Sequence, residues 1–83
     1  MTAMKVGKNI RNIRIQKNIT QEELAEITGI EQSIISRYEN GIIIPPIPKL
    51  EAISKALEVP ISKLLELEET EIKKGSSIAN SFS

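Results

Sequence analysis

Residues Thr20–Gly41 read TQEELAEITGIEQSIISRYENG, and the fold turns on how this stretch is punctuated. Thr20 stands where a helix N-cap is wanted. Its hydroxyl can accept from the Glu23 backbone while the Glu23 carboxylate returns to the Thr20 amide, a reciprocal capping box. Glu22 lies favourably against the positive end of the same helix dipole. Leu24, Ala25 and Ile27 supply an inward face. Gly29 ends the helix, because glycine adopts a positive φ without a Cβ clash and lets the chain reverse at once. Ile30 is expected to plug the elbow. A second short helix follows, with Ile35 and Tyr38 three apart as core contacts and Gln32, Ser33, Ser36 and Arg37 on the outer side. Asn40-Gly41 is a helix stop. The stretch is therefore two short helices joined by a tight turn.

Working outward toward the N-terminus, Val6, Ile10 and Ile13 recur at helical spacing from about Met4 to Lys17. Ile15 lies off that stripe, and Lys5, Lys8, Arg11, Arg14 and Lys17 occupy much of the rest. This is helix one, amphipathic and basic. Asn18 sits where a left-handed, helix-ending residue is wanted. On the other side of the central stretch comes IIIPPIPKL, whose three prolines cannot lie inside a helix or a central strand and form an extended connection, with Pro48 suited to a helix start. Lys49 to Leu57 carries Leu50, Ile53, Ala56 and Leu57 on one face and reads as helix four. Pro60 punctuates it, and Ile61, Leu64 and Leu65 make a short helix five. Beyond Leu65, Leu67 and Ile72 among mixed charges could extend helix five by two turns. From Gly75 the small, polar composition is that of a flexible tail.

A chain of 83 residues has one modest core, and without cysteine neither a disulfide nor a thiolate metal site supports it. Histidine and aspartate are absent as well. The usual materials for metal ligation and for His-centred acid–base or nucleophilic catalysis are missing, leaving only glutamates, lysines and hydroxyls, which argues against an enzyme. Eleven Lys and Arg balance eleven Glu, so net charge lends nothing to a nucleic-acid partner. The distribution says more, for a basic helix one stands beside an acidic helix two carrying Glu22, Glu23 and Glu26, with Glu31 following. No apolar run of signal-peptide type opens the chain and none is long enough to span a bilayer, so the expected location is the cytoplasm.

A basic helix one, TQEELA opening helix two, Gly29 in the turn, QSIISRYENG across helix three and a proline-containing link to helix four together resemble the Cro/repressor-type, lambda-repressor-like helix-turn-helix family of bacterial and phage regulators. The resemblance covers about Val6 to Leu65. It implies an all-α, compact five-helix bundle with the helix-turn-helix at helices two and three. Residues 1–66 would form the DNA-binding domain and residues 67–83 a C-terminal extension. It implies sequence-specific binding of double-stranded DNA by a transcriptional regulator, as a repressor acting as a homodimer on a palindromic operator. It brings no cofactor and no metal. In such a dimer the third helices would enter successive major grooves about 34 Å apart.

Residue by residue, Gln21 matches a phosphate-contacting glutamine, and a helix N-terminus with its free amides and positive dipole end suits an anion on physical grounds alone. Gln32, Ser33 and Arg37 match positions facing base edges, with Ser36 nearby. Glutamine can pair bidentately with adenine and arginine with guanine, each good pair giving about 1–3 kcal/mol of discrimination. The bland alternative for Arg37 is an ion pair with a glutamate of its own helix. Arg14 and Glu39 match a pair that ties helix one to the end of helix three, with the arginine aimed toward phosphate; otherwise they are an ordinary surface salt bridge. Asn40 matches a phosphate-contacting position, although Asn-Gly is equally a helix stop.

The chain also departs from the family pattern. The link after Gly41, often basic in the family, is here Ile42, Ile43 and Ile44 followed by Pro45 and Pro46. Few cations remain for phosphate, which predicts a shallow salt dependence. Glu31 at the edge of helix three would repel phosphate, and Ile34 near the outer face could meet a thymine methyl or a neighbouring protein. The isoleucine run has two readings, core folded under helix four or a dimer patch. A rival function follows from these departures: a helix-turn-helix module that binds another protein, as an antitoxin-like or anti-repressor partner, through the isoleucine-rich loop or the C-terminal tail.

Overall fold

In the computed structural model, which describes residues 5–66, the chain forms five helices in the order α1 Val6–Gln16, α2 Gln21–Thr28, α3 Gln32–Glu39, α4 Ile47–Leu57 and α5 Ile61–Leu64. Residues 67–83, and with them the expected extension of α5 and the tail, lie outside the described residues, as does Met4. The core is aliphatic apart from one tyrosine: Ile10, Leu24, Ile35, Ile53, Leu57 and Leu64 are fully buried, with Val6, Ile30, Tyr38 and Leu50 nearly so. Every helix contributes to it, so α1 packs on α3, α4 and α5 while α2 packs on α3 and α4.

Local chemistry sets the helix ends. Asn18 has φ 60°, and the Ile19 and Asn18 amides donate back to the Arg14 and Ile15 carbonyls at 3.0 Å each. That pair of bonds is a Schellman closure of α1. The capping box at Thr20 is complete: the Glu23 amide donates to Thr20 Oγ1 at 3.0 Å and the Thr20 amide to Glu23 Oε1 at 2.9 Å. Gly29 takes φ 78° and ends α2. Gly41, at φ 75°, lets the Ile42 amide reach the Arg37 carbonyl at 2.9 Å and closes α3 in the same Schellman manner.

Two sequence expectations are corrected, and one of the two readings of the isoleucine run is removed. Helix four begins at Ile47 rather than Lys49, with Pro46 as its N-cap and Pro48 in the first turn, where a missing N–H leaves no bond unmade. Ile27 is 59% exposed, because α2 buries the face formed by Leu24, Ala25, Gln21 and Thr28, and Ile27 falls beyond the edge of that stripe. The isoleucine run does not fold under helix four: Ile42, Ile43 and Ile44 are exposed, Ile44 at 80%, and Pro45 turns inward instead. The buried face of α4 is made by its own Leu50, Ile53 and Leu57, and the three isoleucines are not among the residues packed against that core.

Candidate nucleic-acid interface

The elbow between α2 and α3 is built by residues that look back at the chain rather than out to solvent. Thr28 Oγ1 donates to the Leu24 carbonyl at 2.7 Å and accepts from the Ile30 amide at 3.2 Å, bridging the turn. Ile30 is buried beneath it. On α3, Ile35 and Tyr38 face the core and hold the helix against α1 and α2. This leaves Gln32, Ser33 and Arg37 exposed and Ser36 half-buried along one outer face. The Gln32, Ser33 and Arg37 side chains form no hydrogen bond or ion pair among the described residues. Arg37 is therefore not tied to a glutamate of its own helix. Ile34 differs from expectation: it is partly buried and packs against the core cluster.

The far end of α3 carries a charged hub. Glu39 is buried, its side chain 2% exposed, and Arg14 grips it in bidentate fashion, Nε donating to Oε2 at 2.7 Å and Nη2 to Oε1 at 3.0 Å. Arg14 Nη1 donates to the Ile19 carbonyl at 2.8 Å. With three of its five N–H groups engaged and its side chain 11% exposed, Arg14 acts as a strut between α1, the α1–α2 turn and α3. Gln21 joins the same hub, Nε2 donating to Glu39 Oε1 at 3.0 Å. Asn40 is exposed just past α3, and its Nδ2 lies 3.4 Å from Ser36 Oγ, a long and weak bond.

Three features escape the sequence reading. Gly7 lies where a Cβ would come within 2.1 Å of the Tyr38 carbonyl oxygen and 2.9 Å of that of Glu39, so only glycine allows α1 to approach the end of α3 so closely. An isolated glycine early in an amphipathic helix was the available signal. Asn9 Nδ2 donates to the Leu64 and Glu66 carbonyls, both at 3.0 Å, and ties α1 to the end of α5. The Gln21–Glu39 bond had no sequence signature at all.

Electrostatically the surface is divided. Lys8 and Arg11 are exposed on α1 and Lys17 just past its end, whereas Glu22, Glu23, Glu26 and Glu31 border an open groove beside Gly29 and Ile30. Among the described residues no group of His, Cys, Asp or Glu side chains is arranged to hold a metal, and no helix is long and apolar enough to cross a membrane.

An all-helical bundle that pins the inner face of α3 and leaves its polar face open after a tight glycine turn is a helix-turn-helix protein. The chain belongs to the helix-turn-helix family, whose model matches residues 10–64. It is similar to the HTH-type transcriptional activator BcrR of Enterococcus faecalis, at 38% identity over 66 residues that make up 80% of this chain and 32% of that protein. It is also similar to the immunity repressor protein of Bacillus phage phi105, at 35% identity over 94% of this chain and 54% of the relative. The chain thus spans about a third of one curated relative and about half of the other. Among solved structures, it resembles the biofilm master regulator SinR in complex with DNA, with a TM-score of 0.70 and 34% identity over 74% of this chain and 98% of that one.

Proposed function

We propose that this chain is a sequence-specific regulator of transcription that binds double-stranded DNA, as a homodimer on a palindromic operator. One observation carries the reading: Gln32, Ser33 and Arg37 stand on one open face of α3 with unengaged side chains, while Ile35, Tyr38 and Glu39 anchor its other side. These residue types match the donor and acceptor patterns of adenine and guanine in the major groove. The likeness to SinR bound to DNA supports the same docking. Ser36 flanks the base-reading set. Gln21 and Asn40 serve as phosphate contacts at the two helix ends, and Arg14 contributes mainly by holding the frame. Residues 1–66 act as the DNA-binding domain, residues 67–83 as an extension, and the setting is the cytoplasm. The relatives include both an activator and a repressor; of the two, repression needs no more than occupation of a promoter.

The homodimer reading is supported by Ile42, Ile43 and Ile44, an exposed apolar loop of a kind a symmetric copy can cover. With exposed cations limited near that loop, dimerisation supplies much of the affinity and the salt slope is shallow. The same loop favours a second reading, a partner protein docked there. Selection of genomic fragments on the immobilised protein at moderate salt, followed by sequencing, separates the two. One enriched palindromic motif supports the regulator, and no enrichment over input rejects it in favour of the protein partner.

A further inference from the structure

We infer that Glu39 is a positioning residue for the phosphate contact of Gln21, an inference that rests on the DNA-binding reading above. Gln21 is the first residue of α2, next to the Thr20 cap. The Thr20 hydroxyl satisfies the Glu23 amide and the Thr20 carbonyl accepts from Leu24, so the Gln21 and Glu22 backbone amides keep no bond among the described residues. That end of α2 therefore still offers backbone donors to an anion.

A glutamine side chain at such a position ordinarily samples many rotamers and loses that freedom when it binds. Here one N–H of its amide is already held by Glu39 Oε1 at 3.0 Å. The amide group is planar, so holding one N–H fixes the directions of the second N–H and of the carbonyl oxygen, neither of which has a partner among the described residues. The side chain is thus organised before DNA arrives, which lowers the entropic cost of the contact.

A carboxylate this close to a phosphate site would normally repel it. Glu39 avoids this by facing Arg14, whose guanidinium occupies both of its oxygens at 2.7 and 3.0 Å and offsets its charge. The bidentate arginine is a complete partner for the carboxylate on its own, so the third bond to Gln21 is not needed to neutralise Glu39. Its consequence lies at Gln21. Because Glu39 closes α3 and Gln21 opens α2, the same bond also sets the phosphate-gripping end of one helix relative to the base-reading helix.

The test is a double-mutant cycle of Gln21→Ala and Glu39→Gln, with affinity for a mixed-sequence duplex measured at low salt, since a phosphate contact needs no particular sequence. Gln21→Ala is expected to weaken the parent about tenfold, in line with a hydrogen bond to a charged group, and to weaken the Glu39→Gln background less than about twofold. In that background the one acceptor oxygen left at position 39 goes to the charged Arg14 guanidinium, the NH2 faces the Gln21 NH2, and the Gln21 amide is no longer held. An equal loss in both backgrounds overturns the positioning role while leaving Gln21 as a phosphate contact. A parent unaffected by Gln21→Ala overturns the phosphate reading itself, and the inference with it. Should Glu39→Gln fail to fold, the unmodified protein decides by NMR of its side-chain amides without DNA. The Gln21 amide is expected to be ordered, with one slowly exchanging hydrogen, and motion equal to that of the Gln16 and Gln32 amides overturns the inference.

Discussion

Two neighbouring segments of this chain invert the usual relation between polarity and burial. At the end of α3, Glu39 is taken out of water with an arginine and a glutamine attached to it; a few residues later Ile42, Ile43 and Ile44 are left in water. Burying an ion pair carries a desolvation penalty that its own attraction barely offsets, and exposing aliphatic side chains forgoes the main favourable term in folding. Neither arrangement is what stability alone would select. The buried charges fix the mutual geometry of α1, α2 and α3, which is the geometry a DNA-reading helix pair must keep. The exposed isoleucines hold back apolar area that a second surface can cover.

The comparison breaks most readily at the buried side. Glu39→Ala leaves the Arg14 guanidinium largely buried without its partner and is expected to lower unfolding free energy by about 3 kcal/mol, read by urea denaturation. A loss below 1 kcal/mol, the range of a surface pair, would reduce the hub to an ordinary salt bridge. Gly7→Ala forces a methyl against two backbone oxygens at the same junction. It should destabilise by about 2–3 kcal/mol, visible as a fall in thermal midpoint, and a neutral result would mean that α1 can shift away from α3 at little cost.

On the exposed side, Ile44→Lys should leave the fold intact, since the side chain is 80% exposed, yet weaken self-association by about 2 kcal/mol per dimer. Sedimentation equilibrium measures this, and an unchanged association state in a dimeric parent would remove Ile44 from the interface. The smallest effect belongs to the open face of α3. Arg37→Ala should keep full stability and lose about 1–2 kcal/mol of base discrimination at one position per half-site. An unchanged binding-site profile in the selection experiment would take Arg37 out of the base-reading set.

Much of the scaffold was legible because its determinants are local. The capping box at Thr20, the left-handed stops at Asn18 and Gly29 and the closure at Gly41 each depend on bonds spanning a few residues, so residue type and spacing suffice. Periodicity picked out Ile35 and Tyr38 as the inner face of α3 for the same reason. It misjudged Ile27, because a two-turn helix has too few residues to say where its buried stripe ends. The candidate site was legible as a set of residue types on one face, with the Arg14–Glu39 pairing suggested by family resemblance. The bond from Gln21 to Glu39, the tether of Asn9 to α5 and the need for Gly7 were not, since each joins residues far apart in the chain.

From the sequence alone follow the five helices, the glycine elbow between α2 and α3, and the polar outer face of α3, all set by backbone preferences and hydrophobic period within single turns. Only the tertiary structure decided that Glu39 would sink beneath Arg14 and Gln21 while the isoleucine loop stayed outside. That outcome depends on contacts between helices distant in the chain: Gly7 lets α1 come close to the end of α3, where the carboxylate is buried, and in the link Pro45 takes the buried position while the isoleucines stay exposed.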